Sequence, residues 1–204
     1  MAEAYLSGLE ALARGGGDPS RVASVASFFV SRIDALVDAL VAERLRTPAS
    51  ADDAARLQGL LGKVAIANAR LTYQRYKEIY RGRRWQGLAA RGAMTQRLLW
   101  ASTSTKNPHY RDVLYVEELI GPQTVDTMPE ETIKAFQDHG VVRGDTVAED
   151  AGEAHELLDA IAAVGVDYDD VTLTLELEGV QKFADSFEEL LAGVRAKRGE
   201  LAAV

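Results

Sequence analysis

The chain has 204 residues, with 23 Lys and Arg against 31 Asp and Glu and a formal net charge of −8. This acidic balance excludes a binder of nucleic-acid backbone or anionic membrane, and the absence of Cys excludes disulfides, thiol nucleophiles and thiolate metal sites. A composition of 47% hydrophobic and 26% charged residues is that of an ordinary globular domain. The longest charge-free run, Val22 to Ser31, is roughly half the ~20 residues that a membrane helix requires, and no charged leader precedes an apolar segment. A cytoplasmic protein with no nucleic-acid or membrane partner is expected.

Residues 2–13 are rich in helix formers, with Tyr5, Leu6, Leu9 and Leu12 on one side, and they end at Gly15-Gly16-Gly17. Three glycines can cradle phosphate, but a phosphate loop follows a strand, whereas these follow a helix; a turn is expected. The apolar run Val22–Ser31 reads as a strand buried on both faces, as in a parallel sheet. Residues 33–46 read as a helix that Pro48 breaks. Ser50 then caps a long helix carrying Leu57, Leu60, Leu61, Val64, Ala67 and Leu71 at 3–4 spacing.

Arg97–Ser102 reads as a second strand, Thr103–Tyr110 as a polar loop and Thr124–Asp126 as a third strand. Thr127-Met-Pro-Glu-Glu131 opens a helix over 130–138. Strand and helix thus alternate as in a parallel α/β unit. Beyond Gly140 the pattern turns helical, with a helix over 151–164 and an amphipathic one marked by Phe183, Phe187, Leu190, Leu191 and Val194. Between them, Val171–Glu178 alternates with period two, which alone reads as strand.

Chemistry-bearing residues are sparse. His109, His139 and His155 lie in separate segments, so no helix presents two of them to a metal, and neither a metal nor a cofactor is expected. Glu117-Glu118 and Glu188-Glu189 point about 100° apart on a helix and cannot meet as acid and base. No nucleophile elbow, Walker loop or dinucleotide fingerprint occurs. The best local candidate is Trp100–Asn107, where an apolar strand runs into hydroxyls, Lys106 and an amide. Strand C-termini are where parallel α/β folds build sites, and such donors suit a phosphate; an ordinary polar loop with an exposed lysine reads the same way. None of Lys63, Lys77, Lys106, Lys134, Lys182 and Lys197 lies within an apolar strand, where burial would depress an amine's pKa enough for Schiff-base chemistry.

The segments SVASFFVSRID (24–34), GKVAIANARLTYQ (62–74), LLWASTSTKNPHYRDVLYVEELIGPQTVDTMPEETIKAFQDHG (98–140) and the VGVDYDDV…EGVQKF tail (164–183) resemble bacterial transaldolase, particularly its actinobacterial form. The resemblance implies an α/β fold, part of a TIM (β/α)8 barrel. Residues 24–32, 97–102 and 124–128 would be strands six to eight with their helices. Residues 1–140 would form the barrel portion and 141–204 a helical C-terminal extension packing on it; the resemblance also favours a helix over 170–178. It further implies transfer of a dihydroxyacetone unit between sugar phosphates of the pentose phosphate pathway, namely fructose 6-phosphate, erythrose 4-phosphate and sedoheptulose 7-phosphate.

In that family a lysine on the fourth strand forms a Schiff base, and an early-strand Asp and a Glu with bound water handle protons. No lysine here matches that nucleophile, so no catalytic residue carries over. What carries over is part of the phosphate end: Ser102 on the seventh strand, Lys106 before Asn107, and Arg32 closing strand six, the last more as a structural residue than as a ligand. Met1 falls part-way through a barrel helix, so a C-terminal fragment, inactive alone, is expected. The alternative is a non-catalytic module that binds sugar phosphates or partners a split barrel. The sheet edges are expected to be open to self-association, with Phe28, Val30, Leu98 and Trp100 directed to the barrel interior.

Overall fold

A computed structural model describes residues 1–202. Helix α1 (Ala2–Arg14) ends at Gly15, and Gly16, at φ 81°, makes the turn that an L side chain resists. Strand β1 (Val25–Phe29) passes directly into α2 (Val30–Leu45), so the apolar run 22–31 divides between strand and helix. The division falls where the Ser31 N–H, an orphan donor of the first helical turn, finds the Ser102 carbonyl at 3.1 Å.

Ser50 accepts from the Asp53 N–H at 3.1 Å and caps α3 (Ala51–Leu60), as its sequence predicts. The long helix expected beyond it is two helices, because Gly62 sits at φ 70° and turns the chain before α4 (Val64–Ile79). The short α5 (Arg83–Ala89) closes a satellite core with α1, in which Leu6 and Leu9 meet Trp85 and Leu88. Arg84 straps that contact on its outer side with hydrogen bonds to Glu3, Ser7 and Glu10.

Strand β2 (Arg97–Ala101) leads through a loop to α6 (Leu114–Glu118), β3 (Thr124–Asp126), α7 (Glu130–His139) and α8 (Ala151–Ala163). The three strands form one parallel sheet in the order β1-β2-β3, with Val25 opposite Arg97 and Leu98 opposite Thr124. All three C-terminal ends therefore lie on one side. Both outer strands present unpaired backbone along one edge.

The two faces of the sheet differ. Leu98 and Trp100 are buried, Phe28 meets Trp100 edge-to-face at 5.6 Å, and the Trp100 indole N–H donates to the Leu119 carbonyl at 3.0 Å. Ala26, Phe28 and Leu98 share a cavity with Thr72, Tyr76 and Ile79 of α4. This is the helix-covered face. Because side chains alternate along a strand, Val25, Ser27, Phe29 and Leu99 lie on the other face, where Val25 is 40% exposed. Two expectations are thereby corrected. β1 is not covered on both sides, and Phe28, Leu98 and Trp100 face the helices rather than a barrel interior, while Val30 opens α2. Counting the strand's period from its most hydrophobic members selects the helix-packed side here, because that side is the one buried within the chain.

By contact, Met1–Val166 forms one compact unit and a second begins at Asp167. The second consists of α9 (Tyr168–Ala202), one continuous helix. Val171–Glu178 is helical, as the family resemblance favours and against its period-two alternation. Asp167 Oδ1 accepts from the Asp169 N–H at 3.0 Å and the Asp170 N–H at 3.2 Å, a cap that starts the helix just before the alternating stretch.

The corner at Gly62 yields a direct prediction. A Cβ there would stand 2.7 Å from Tyr110 Cζ, on a backbone already at φ 70°. Gly62→Ala is expected to lower unfolding free energy by about 1–3 kcal/mol, from left-handed strain and the displaced ring together. Urea denaturation checks this; a loss under about 0.5 kcal/mol, the range of neutral surface changes, contradicts it.

Candidate functional site

The site is built at the C-terminal ends of the strands. Ser102, the residue after β2, has φ 58°, a conformation in which non-glycine residues are uncommon and strained. The bonds around it hold it there. Its carbonyl accepts from the Ser31 N–H, and its hydroxyl pairs with the Ser31 hydroxyl at 2.8 Å. Next to it, Thr103 is fully buried and donates to Asp126 Oδ1 at 2.8 Å, and the Thr127 N–H donates to the Trp100 carbonyl at 3.0 Å. Burial pushes the Asp126 carboxyl up to about 6. The ends of β1, β2 and β3 are thus laced together by hydroxyls.

Two of the three candidates named from sequence lie at this junction. Ser102 touches the first turn of α2, the turn that carries Arg32. The Arg32 guanidinium lies over the Phe29 ring, 4.5 Å from its centroid, which fixes the cation at the end of β1. Lys106 is exposed and lies further along the loop, where its ammonium donates to Ser104 Oγ at 2.9 Å. Asn107 Oδ1 accepts from the His109 N–H at 3.0 Å and shapes the turn that follows. Ser31 and Thr103 were not singled out from sequence. Ser31 lies in the first turn of α2 directly after β1 and Thr103 begins the loop after β2, a signal available only once the strand ends are placed.

An acidic pair on α2, Asp34 buried and Asp38 half-buried, positions this loop. Asp34 accepts from the Ala65 N–H at 2.8 Å and from the Tyr115 hydroxyl at 2.8 Å. One turn later, Asp38 accepts from the Gly62 N–H at 3.0 Å and the Tyr110 hydroxyl at 2.6 Å. Lys63, at the N-cap of α4, makes no side-chain cap, so the α2 carboxylates satisfy orphan donors there from a neighbouring helix. Each also holds a tyrosine from the segment after β2. The signal was legible: Asp34 falls among Val30, Ile33, Val37 and Val41, the buried stripe of α2.

Burial pushes the Asp34 carboxyl up to about 6, against the opposing pull of its Ala65 and Tyr115 hydrogen bonds. Burial, then the adjacent Asp34 charge, raises the Tyr115 hydroxyl; burial and Asp38 do the same to Tyr110. Glu117 is opposite in sense. Arg111 binds both its oxygens at 2.9 Å and the Val141 N–H donates at 2.8 Å, which holds it below the usual carboxylate range. Arg111 also donates to the His139 carbonyl, joining the far end of the loop to α7. Among the described residues, no group of His, Asp and Glu converges as a metal-ligand set, and no helix is long and apolar enough to cross a membrane.

The family model for Transaldolase/Fructose-6-phosphate aldolase matches residues 1–194. The chain belongs to that family. It is 50% identical over 197 residues to a transaldolase of Frankia alni, covering 97% of this chain and 51% of that protein. A transaldolase of Acidothermus cellulolyticus is 52% identical over 192 residues, covering 94% of this chain and 49% of its own length. One from Mycolicibacterium paratuberculosis is 49% identical over 198 residues, with 97% and 51% covered. The chain therefore spans about half the length of the curated relatives it matches. The transaldolase family is of the TIM-barrel type, and the parallel sheet with helices on one face accords with it.

The Asp34 geometry predicts a pH dependence. A carboxyl whose folded pKa is about 6, against 3.8 for the free group, binds its proton more tightly in the native state. Its contribution to stability is therefore full below the lower value and declines as pH rises through the higher one, by about 3 kcal/mol in all. Asp34→Asn keeps an acceptor for Ala65 and removes the titration. Between pH 4 and 7 the wild type should lose stability relative to this variant by up to that amount. A stability difference constant with pH contradicts the assignment.

Proposed function

We propose that this chain supplies the phosphate-binding end of a transaldolase-type site and contributes strands six to eight of a (β/α)8 barrel, with residues 1–140 as the barrel portion and 141–204 as the helical extension. The observation that supports this most is the Ser102–Ser31 hydroxyl pair at the first turn of α2, beside Arg32 and at the C-terminal ends of parallel strands. Hydroxyls and N–H groups at a helix start, with a nearby guanidinium, match a phosphate dianion in geometry and charge. Ser102 bonds the phosphate oxygens, Arg32 neutralises them from its perch on Phe29, and Lys106 closes over them by exchanging its Ser104 contact. The ligand class is the sugar phosphates: fructose 6-phosphate, erythrose 4-phosphate and sedoheptulose 7-phosphate. The setting is the cytoplasm.

Dihydroxyacetone transfer by the Schiff-base route needs an amine nucleophile held where its pKa is depressed. Lys106 is exposed, and Lys134 and Lys182 are engaged by Glu130 and Glu178 at the surface. In this reading the chain binds sugar phosphate and leaves catalysis to a species that also contains a barrel's remaining strands. A split-barrel partner role is the second reading, favoured by the open sheet face carrying Val25, Ser27, Phe29 and Leu99 and by the unpaired outer edges of β1 and β3.

Borohydride trapping with fructose 6-phosphate, read by intact mass, tests the first part. No adduct is expected on this chain under conditions that trap a full-length transaldolase; a stoichiometric adduct on one lysine overturns it. Amide chemical-shift titration with fructose 6-phosphate tests the second. Shifts are expected at Ser31, Arg32 and Ser102, and Ser102→Ala should weaken binding by about tenfold, the value of one charge-assisted hydrogen bond. Shifts confined to Lys106 and its neighbours, or none, contradict the phosphate assignment.

A further inference from the structure

The N-terminal ends of the strands, away from Ser102, border a cavity of about 1020 Å³, the size of a large small-molecule pocket. Val25 and Arg97, the first residues of β1 and β2, meet there with Lys77, Tyr80 and Arg81 from the end of α4 and with Trp85 of α5.

Charge sets this cavity apart. Between residues 75 and 97 the sequence holds seven Arg and Lys against one Glu, a net +6 within a chain of net −8. The fold neutralises part of the excess, since Arg75 pairs with Glu78, and Arg84 with Glu3 and Glu10. Lys77, Arg81 and Arg97 differ. Among the described residues none of the three pairs with a carboxylate, and the cavity wall contains no Asp or Glu. The Lys77 ammonium lies over the Tyr73 ring, 5.0 Å from its centroid, a contact that leaves its charge in place. Arg81 acts on Tyr73 and Arg97 on Tyr76, two rings stacked at 6.0 Å, so both guanidiniums flank one short stretch of α4. Against them stand Asp145, which acts on Tyr73 from outside the wall, and roughly half a negative charge at the C-terminus of α4; together these do not cancel three cations.

The rest of the wall is largely apolar and planar. Tyr76, Tyr80 and Trp85 touch in series, with ring centroids 4.7 and 4.8 Å apart, and the Gln96 N–H fixes Tyr80 by donating to its hydroxyl at 3.0 Å. At the lip, Val25 is 40% exposed and Met94 is 44% exposed. A planar apolar body covers such side chains, and anionic groups joined to it reach the cations beside them. We propose that this cavity binds a nucleoside diphosphate, with the base against Val25, Tyr80 and Met94 and the phosphates against Lys77, Arg81 and Arg97. The site lies at the opposite end of the strands from Ser102 and Arg32 and does not rest on the reading given for that end.

Titration of the intact chain with ADP, read by calorimetry and by amide chemical shifts, tests this. Binding is expected with shifts at Val25, Met94 and Arg97. Arg81→Gln and Arg97→Gln, both exposed positions, should each weaken it by about tenfold, the value of one charge-assisted hydrogen bond. Ser102→Ala should leave it unchanged. Adenosine, which lacks the phosphates, and pyrophosphate, which lacks the base, should each bind at least about tenfold more weakly than ADP, because each forfeits one half of the wall. No binding at millimolar ADP, pyrophosphate binding as tightly as ADP, or affinity unchanged in both arginine variants overturns the inference. Shifts confined to Ser31, Arg32 and Ser102 overturn it too, by placing the ligand at the other end of the strands.

Discussion

The two carboxylates one turn apart on α2 are the contact on which the arrangement of the first unit depends. Asp34 and Asp38 accept the backbone donors at Gly62 and Ala65, where α3 gives way to α4, and the hydroxyls of Tyr110, at the end of the loop that leaves β2, and of Tyr115 beyond it. Three segments distant in sequence are fixed by two side chains. Taking a carboxylate out of water costs several kcal/mol unless hydrogen bonds replace the lost hydration, so this arrangement is stable only when all four donors are present together. The raised Asp34 carboxyl marks how close that balance lies.

The consequence reaches the strand ends. The Thr103–Tyr110 loop is anchored at its start by Ser102 and Thr103, at its end by Tyr110 on Asp38 and just past it by Arg111 on Glu117. The middle of the loop, with Lys106 and Asn107, is left to local bonds. Fixed donors framing an exposed ammonium are the arrangement that the proposed anion site calls for. The left-handed backbone of Ser102 is part of the same design, since it aims the hydroxyl at the first turn of α2 while the chain continues into the loop.

Much of this was legible in the sequence, and the parts that were not share a cause. Helices with a full apolar stripe or a recognisable cap emerged, such as the one capped by Ser50, and so did the three strands. The break at Gly62 was missed because Leu57, Leu60, Leu61 and Val64 keep a helical spacing across it. The left-handed turn is imposed by Asp38 and Tyr110, which are remote in sequence. Val171–Glu178 misled in the other direction: its alternation of threonine, leucine and glutamate is a strand's, yet the Asp167 cap commits it to helix before β propensity counts. The two sheet faces were interchanged because periodicity identifies a buried side without saying what buries it. The Trp100–Asn107 segment with Ser102 and Lys106 stood out from its local chemistry and Arg32 from the family resemblance, whereas Ser31 and Asp34 act through partners that only the fold brings near.

The chain belongs to the transaldolase family and spans about half the length of its curated relatives. In the proposed barrel the open sheet face would await other strands, whereas the acidic clamp and the hydroxyl lacing lie wholly within this chain. The clamp is therefore the claim to test first, by native-state hydrogen exchange of the Gly62 and Ala65 amides. If Asp34 and Asp38 hold the α3–α4 corner, both amides exchange only at the rate of global unfolding, together with the core of α4. Exchange as fast as that of amides in the Thr103–Tyr110 loop would show that the corner opens freely and that something else holds the loop in place.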